Sequence, residues 1–277
     1  MRSELVVAPG GIGYPFWQTG AGRPLVLLHG FTGSHETWLP LVTRFAETRL
    51  VATLDLPGHG RSQLPSSQTW SFASVVDDLA WLIAALPGGA ADLLGYSMGG
   101  RIALALAATH PDRVRNLVLE SASPGIADDQ ERDMRVRADA HLADRLQESG
   151  IEAFVADWEQ LPMWQSQAKL SEHDRERQRR IRLSHTPDGL AANLRATGAG
   201  AQPSYWAQLS SLQMPALLIA GGLDRKFTHI ANAMNAAIPN SWLEIVPNAG
   251  HAVHLEQPAV YVQLVSQFLN RTVAKAS

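Results

Sequence analysis

Between Leu93-Leu94 and the run Arg101-Ile-Ala-Leu-Ala-Leu-Ala-Ala lies Gly95-Tyr96-Ser97-Met98-Gly99, and this junction limits the architecture of the chain more tightly than any other stretch. An apolar pair running into a glycine-bounded turn and out into an apolar helical run reads as a buried strand, a tight turn and a helix. Small residues two before and two after the serine let the backbone turn sharply and hold the hydroxyl of Ser97 clear of both elements. Ser97 is therefore the candidate reactive group. The pentapeptide alone is weak evidence, and the strand and helix around it make it strong.

A serine hydroxyl needs a base, and the base needs a group to orient it. Both follow downstream in the order Ser, acid, His. Ala216-Leu-Leu-Ile-Ala220 reads as a buried strand ending in Gly221-Gly222-Leu223-Asp224, and Trp242-Leu-Glu-Ile-Val246 as another followed by Pro247-Asn248-Ala249-Gly250-His251. The carboxyl ends of two late strands thus offer Asp224 and His251 where an elbow on a central strand can meet them. Asp224 could also serve only as the cap of a helix beginning near Phe227. His254 competes with His251 as the base but stands where the last helical stretch starts, before Leu255-Glu256-Gln257-Pro258, which suits a helix-start or packing residue.

Upstream, Pro24-Leu-Val-Leu-Leu-His29-Gly30-Phe31 is an apolar strand without alternation, as expected of a strand covered on both faces. Its loop should lie beside the elbow, where the backbone N–H groups of Phe31 and Met98 would form an anion-stabilising pocket. His29 is read as a structural loop residue. The segment Asp55-Leu-Pro-Gly58-His59-Gly60-Arg61-Ser62, after the strand Leu50–Leu54, is read as a fixed turn with His59 and Arg61 structural.

Strands alternate with helices from Leu25 to Leu119, the helices running roughly Glu36–Glu47, Phe72–Leu86 and Met98–Thr109, and two more strand and helix pairs follow Met214. The pattern predicts an α/β protein, with a mostly parallel sheet covered by helices on both faces. Residues 123–202 read as helices alone, with Met134, Ala138, Leu142 and Leu146 four apart on one face. We expect them to form a helical lid over Ser97, inserted in a single domain of residues 1–277.

Composition narrows the partners. A net charge of −3 leaves no electrostatic footprint for nucleic acid. There is no apolar run of membrane-spanning length and no long apolar stretch near the N-terminus, so a cytoplasmic protein is expected. Zero cysteines exclude disulfides and thiolate metal sites, and the histidines form no recognised zinc motif, so no metal or other cofactor is expected. Of twenty arginines, nine fall between Arg132 and Arg182, against three lysines in the whole chain. Guanidinium forks bind carboxylates bidentately, which an ammonium cannot do. Most of the nine should be solvated or paired with nearby acids, with two or three facing the pocket. Arg101, one helical turn after Ser97 and on its face, is better placed than any of them. An arginine beside the reactive serine suits a substrate carrying carboxylates.

Seven segments together carry a family resemblance: His29-Gly-Phe-Thr-Gly-Ser34 with Trp38, Gly95-Tyr-Ser-Met-Gly-Gly-Arg101, Leu119-Glu-Ser-Ala-Ser-Pro-Gly125, Ala156-Asp-Trp158, Gly200-Ala-Gln-Pro203, Asp224-Arg-Lys-Phe227 and Gly250-His-Ala-Val-His254. From about residue 25 to 262 the chain resembles the α/β-hydrolase-fold 2-succinyl-6-hydroxy-2,4-cyclohexadiene-1-carboxylate synthases of menaquinone and phylloquinone biosynthesis. The resemblance implies an α/β-hydrolase fold with a mostly parallel eight-stranded sheet and a helical lid, and a lyase that removes pyruvate from 2-succinyl-5-enolpyruvyl-6-hydroxy-3-cyclohexene-1-carboxylate, a small tricarboxylate, by abstracting a ring proton. It implies Ser97, Asp224 and His251 as the catalytic set, Arg101, Arg135 and Arg182 as anion-binding residues, and Tyr96, Trp158 and Trp164 as pocket lining. Trp164 stands where a phenylalanine is expected, Trp158 could equally be lid core, and a shift of register would substitute Arg132, Arg137 or Arg179 among the lid arginines. A monomer or weak oligomer is expected. Two other classes remain open: an ester or carbon-carbon bond hydrolase acting on an acidic substrate through an acyl-serine, and a non-catalytic small-molecule receptor.

Overall fold

The computed structural model describes residues 1–65 and 70–274. Eight strands form one sheet: β1 (Arg2–Val7), β2 (Gly13–Thr19), β3 (Arg23–Leu28), β4 (Arg49–Leu54), β5 (Ala91–Tyr96), β6 (Val114–Glu120), β7 (Ala216–Gly221) and β8 (Ser241–Val246). Their spatial order is β1-β2-β4-β3-β5-β6-β7-β8. β2 pairs antiparallel with β1 and β4, and every other neighbouring pair is parallel. The helices are α1 (Leu39–Phe45), α2 (Phe72–Ala84), α3 (Met98–Thr109), α4 (Asp129–Glu159), α5 (Glu172–Leu183), α6 (Pro187–Thr197), α7 (Arg225–Ala237), α8 (Val253–Glu256) and α9 (Pro258–Ala274). No helix among the described residues is long and apolar enough to cross a membrane.

Successive strand residues point to opposite faces, so a run such as Leu93-Leu94 supplies both faces at once. Leu93 joins Leu28, Val76, Leu79, Ile102 and Met234 under α2, α3 and α7. Leu94 joins Leu27, Leu217, Trp38, Leu41, Tyr261 and Phe268 on the other face, under α1 and α9. The mostly parallel sheet with helices on both faces follows from that pattern.

The turn at Ser97 is as sharp as its glycines imply. Ser97 has φ 51° and ψ −107°, a left-handed backbone that L residues rarely adopt. A Cβ on Gly95 would sit 2.4 Å from the carbonyl oxygen of Gly99, and one on Gly99 would sit 2.3 Å from that of Leu28. Bonds from Ser97 N–H to Glu120 O (2.8 Å) and Gly99 N–H to His29 O (3.1 Å) pin the elbow to β6 and β3.

Three local readings are corrected. The helix expected over Glu36–Glu47 is a 3-10 turn at His35–Trp38 followed by α1, because Pro40 lacks an N–H and is accommodated only in the first turn of a helix. β1 and β2 had no assigned place in the sequence, and five of the six β1 residues are exposed, so no alternation marks that strand. Finally, Met134 is 60% exposed and Ala138 is exposed, while the buried side of α4 runs through Asp139, Ala143 and Leu146. Residues four apart rotate by about 40° per step on a 3.6-residue helix, so a stripe built on fours slides off the buried face.

Between β6 and β7 the chain runs through α4, a 3-10 turn at Pro162–Lys169, α5, α6 and a second 3-10 turn at Trp206–Ser211. α4 breaks at Gly150, which has φ 79°. Ala143, Leu146, Phe154 and Val155 of α4 pack on Leu190, Ala191 and Leu194 of α6, giving this segment a small core of its own.

Candidate active site

Ser97, Asp224 and His251 come from the carboxyl ends of β5, β7 and β8 and meet in one hydrogen-bonded line. His251 Nε2 lies 3.0 Å from Ser97 Oγ, and His251 Nδ1 lies 2.7 Å from Asp224 Oδ2. A carboxylate only accepts, so Nδ1 carries the proton and Nε2 presents its lone pair to the serine hydroxyl. Asp224 also caps α7, its Oδ1 accepting from Phe227 N–H at 3.1 Å. The two roles weighed for Asp224 coexist, one on each oxygen. Burial pushes its carboxyl up, but the hydrogen bonds from His251 and Phe227 and the charges of His251 and Lys226 outweigh it and hold Asp224 below the usual carboxylate range.

His254 is turned elsewhere. Its Nδ1 donates to Glu120 at 2.9 Å, its backbone N–H does so at 3.0 Å, and both side chains are buried. It anchors α8 to β6 and braces Tyr96, whose ring packs against it at 4.5 Å.

The N–H groups of Phe31 and Met98 take no protein acceptor among the described residues, although their neighbours do: Thr32 N–H donates to His59 Nε2 at 3.1 Å and Gly99 N–H to His29 O. Two free donors therefore flank the serine, as an anion pocket requires. The loop that carries Phe31 is set by three buried histidines. His29 accepts from Leu56 N–H and donates to Gly30 O; His59 accepts from Thr32 N–H and donates to Pro57 O; His185 accepts from Gly60 N–H and donates to Thr32 O. Each ring spends one nitrogen as an acceptor, so protonation would set a donor against a donor. Burial pushes all three below the ordinary histidine value, His29 to about 4. Between pH of about 6.5 and 4 the unfolded chain binds protons that the native state refuses, so stability falls as pH falls through that window. His29 alone should contribute on the order of 3 kcal/mol to that loss. Urea midpoints at pH 7, 5.5 and 4.5 should drop progressively, and less steeply in His29→Gln; superimposable profiles would contradict this account.

The serine opens into a cavity of about 650 Å³ lined by Tyr96, Met98, Arg101, Arg135, Trp158, Trp164, Lys226 and Phe227, among others. Arg101 reaches it half-buried, with Nη2 donating to Thr197 O (3.0 Å) and Nη1 to Gly198 O (3.3 Å) and Gln202 Oε1 (3.4 Å). Among the described residues no carboxylate pairs with it. Burial, and next the charge of Arg135, push it down to about 10, so it stays cationic at neutral pH and gains from any carboxylate that enters. Arg135 also lines the cavity, its Nε donating to Asp139 Oδ1 at 2.7 Å.

Arg182 is not on this wall. Its Nη1 donates to Glu159 Oε1 at 3.0 Å, its guanidinium stacks 5.3 Å from the centre of Trp164, and it faces a small satellite space with Tyr96, Gln178 and His254. Trp164 lines both spaces, together with Phe31 and Tyr96. Of the nine arginines between 132 and 182, only Arg135 lines the main cavity, against the two or three expected. The acids of the same helices hold several of the rest: Asp129 holds Arg132, Asp157 holds Arg145, Asp174 holds Arg177, and Glu159 holds both Arg179 and Arg182. Trp158 serves both alternatives, lining the cavity while stacking on Phe154 of the α4 core at 5.6 Å. Lys226 and Phe227, two and three residues after Asp224, were visible only as part of a motif, yet both line the cavity. Among the described residues no cluster of three or more histidine or acidic side chains is placed to hold a metal ion.

A family model described as alpha/beta hydrolase fold matches residues 23–258. A protein of Bacillus subtilis (strain 168), provisionally named a 2-succinyl-6-hydroxy-2,4-cyclohexadiene-1-carboxylate synthase, is 41% identical over 272 residues, covering 97% of this chain and 99% of its own. The protein of that name from Enterobacter sp. (strain 638) is 33% identical, covering 91% of this chain and 95% of its own. Among solved structures, MenH from S. aureus superposes with a TM-score of 0.90 at 36% identity, over 94% of this chain and 98% of its own.

Proposed function

The chain belongs to the 2-succinyl-6-hydroxy-2,4-cyclohexadiene-1-carboxylate synthases of the α/β hydrolase fold, and from that membership we infer that it is a lyase eliminating pyruvate from 2-succinyl-5-enolpyruvyl-6-hydroxy-3-cyclohexene-1-carboxylate. The observation that carries the mechanism is the conjunction of an aligned Ser97-His251-Asp224 line with Arg101, which no carboxylate pairs among the described residues, on the same cavity wall. An apolar ester gains nothing from a desolvated guanidinium, whereas a polycarboxylate does.

Substrate and product differ by the loss of one ring hydrogen and the enolpyruvyl oxygen substituent, with the ring alkene at position 3 becoming a 2,4-diene. The hydrogen that leaves is therefore the one on C2, acidified by the neighbouring succinyl ketone. His251 Nε2 takes the Ser97 proton as Ser97 Oγ takes the C2 proton. The C–H electron pair becomes the C2–C3 double bond, the old alkene moves to C4–C5, and the C5–O bond breaks. Enolpyruvate departs with that bond's electrons and is protonated to pyruvate, so atoms and electrons balance with no oxidant or reductant. Charge that builds on the succinyl carbonyl oxygen in this step is stabilised by the Phe31 and Met98 N–H groups. Arg101 and Arg135 hold carboxylates, Tyr96, Trp158 and Trp164 shape the walls, and the helical segment of residues 123–202 acts as the lid. Arg182, held by Glu159 and stacked on Trp164, supports that tryptophan from behind the wall.

Deuterium at C2 of the substrate tests this step. A slowed pyruvate release, with no mass added to the enzyme during turnover, is the expected result. A covalent adduct on Ser97 would replace elimination with acyl transfer.

A further inference from the structure

The substrate of this elimination carries three carboxylates, on the ring, on the succinyl chain and on the enolpyruvyl group; the diene product keeps the first two and pyruvate leaves with the third. Three cations line the main cavity, Arg101, Arg135 and Lys226, with Glu131 and Asp224 as the acids on its wall. Their settings differ. Arg101 is fixed on the carbonyls of Thr197 and Gly198, and Arg135 on Asp139, whose other oxygen holds Gly200 N–H at 3.1 Å. Arg101 thus stands directly on one strip of chain, residues 197–202, and Arg135 reaches the same strip through Asp139. Lys226 comes from a different wall, the first turn of α7, beside the acid that orients the base. Its ammonium lies 5.6 Å from the centre of the Phe227 ring, and that ring packs 4.6 Å from His251. Among the described residues Lys226 makes no ion pair, and its side chain is exposed at the cavity wall.

We propose that Lys226 receives the carboxylate of the departing enolpyruvyl group and is the leaving-group-binding residue of this enzyme. The proposal rests on the pyruvate-elimination reading. Two guanidinium forks on one wall suit the two carboxylates that stay with the ring. A single hydrated ammonium on a flexible stem suits the one that must move, because it follows the carboxylate out as the C5–O bond breaks and imposes no fixed bidentate geometry. It also sets a positive charge near the oxygen on which electrons accumulate.

The experiment compares wild type with Lys226→Met and Lys226→Arg, measuring pyruvate release and, separately, competitive inhibition by the diene product, which lacks the enolpyruvyl carboxylate. Lys226→Met should lose about 10- to 100-fold in kcat/KM. Its inhibition constant for the product should stay within about twofold of wild type, and Lys226→Arg, which keeps the charge but imposes a fixed fork, should recover only part of the loss. An equal loss of affinity for the product would assign Lys226 to a retained carboxylate and overturn the proposal, as would an unchanged kcat/KM in Lys226→Met. A wild type that releases no pyruvate would overturn the elimination reading itself, an outcome distinct from a failure confined to the variants.

Discussion

Ser97→Ala and His251→Ala should each lower kcat for pyruvate release by at least about 10³-fold, with little change in KM. Ser97 Oγ is the oxygen in contact with the base, 3.0 Å from His251 Nε2, and neither side chain is part of the cationic wall that binds carboxylates. Residues that act as one unit are not additive, so the double variant should be no slower than the worse of the two singles. Asp224→Asn should follow in kind, since an amide in its place can turn its NH2 toward His251 and favour the tautomer with the proton on the wrong nitrogen. Steady-state pyruvate assays on the purified variants are sufficient. Single variants retaining a tenth of wild-type kcat would remove Ser97 and His251 from the chemical step.

Arg101→Lys and Arg101→Ala should both be severely impaired, and the lysine variant is the more informative. The Arg101 guanidinium spreads its donors over Thr197 O, Gly198 O and Gln202 Oε1 while keeping a face toward the cavity. An ammonium retains the charge but has neither the planar fork nor the reach to hold that strip and a carboxylate together. Losing a charge-assisted contact to a desolvated carboxylate costs roughly 2 to 5 kcal/mol, or about 30-fold to several thousand-fold in kcat/KM. Arg101→Lys with wild-type kcat/KM would show that charge alone suffices and would end the bidentate account.

The parts of this molecule that were legible in the sequence are those fixed by local signals. Ser97, Asp224 and His251 each follow an apolar strand and a glycine, and the punctuation at each strand end located them before any contact was known. The separation of His251 from His254 was legible for the same reason, since Pro258 marks the start of a helix just beyond the second. The Arg182 environment was not legible. Whether that guanidinium faces the cavity is decided by Glu159, 23 residues earlier on another helix, and by Trp164 beneath it. A run of alternating arginines and acids on α5 carries no sign of which partner wins. β1 escaped because an edge strand with one partner and mostly exposed residues has no buried face to impose a period. The face of α4 was misjudged because Asp139 lies at its centre. That carboxylate is buried to hold Gly200 N–H and Arg135, and a charged residue in a buried stripe reads as surface.

Geometry that hydrolases of this fold use and the chemistry of a lyase share this site, and the cavity distinguishes them. The elbow, the paired N–H donors and the His-Asp line serve acyl transfer as well as proton abstraction. Arg101, Arg135 and Lys226 around them favour a substrate with several negative charges. One measurement separates the two directly: pyruvate release from freshly generated enolpyruvyl substrate, by wild type and Ser97→Ala in parallel, with a simple aryl ester as control. Rapid release that depends on Ser97, with little ester cleavage, is the predicted result. No release above background, accompanied by a burst of ester cleavage, would contradict the lyase account and make this cavity a hydrolase site for some other acidic substrate.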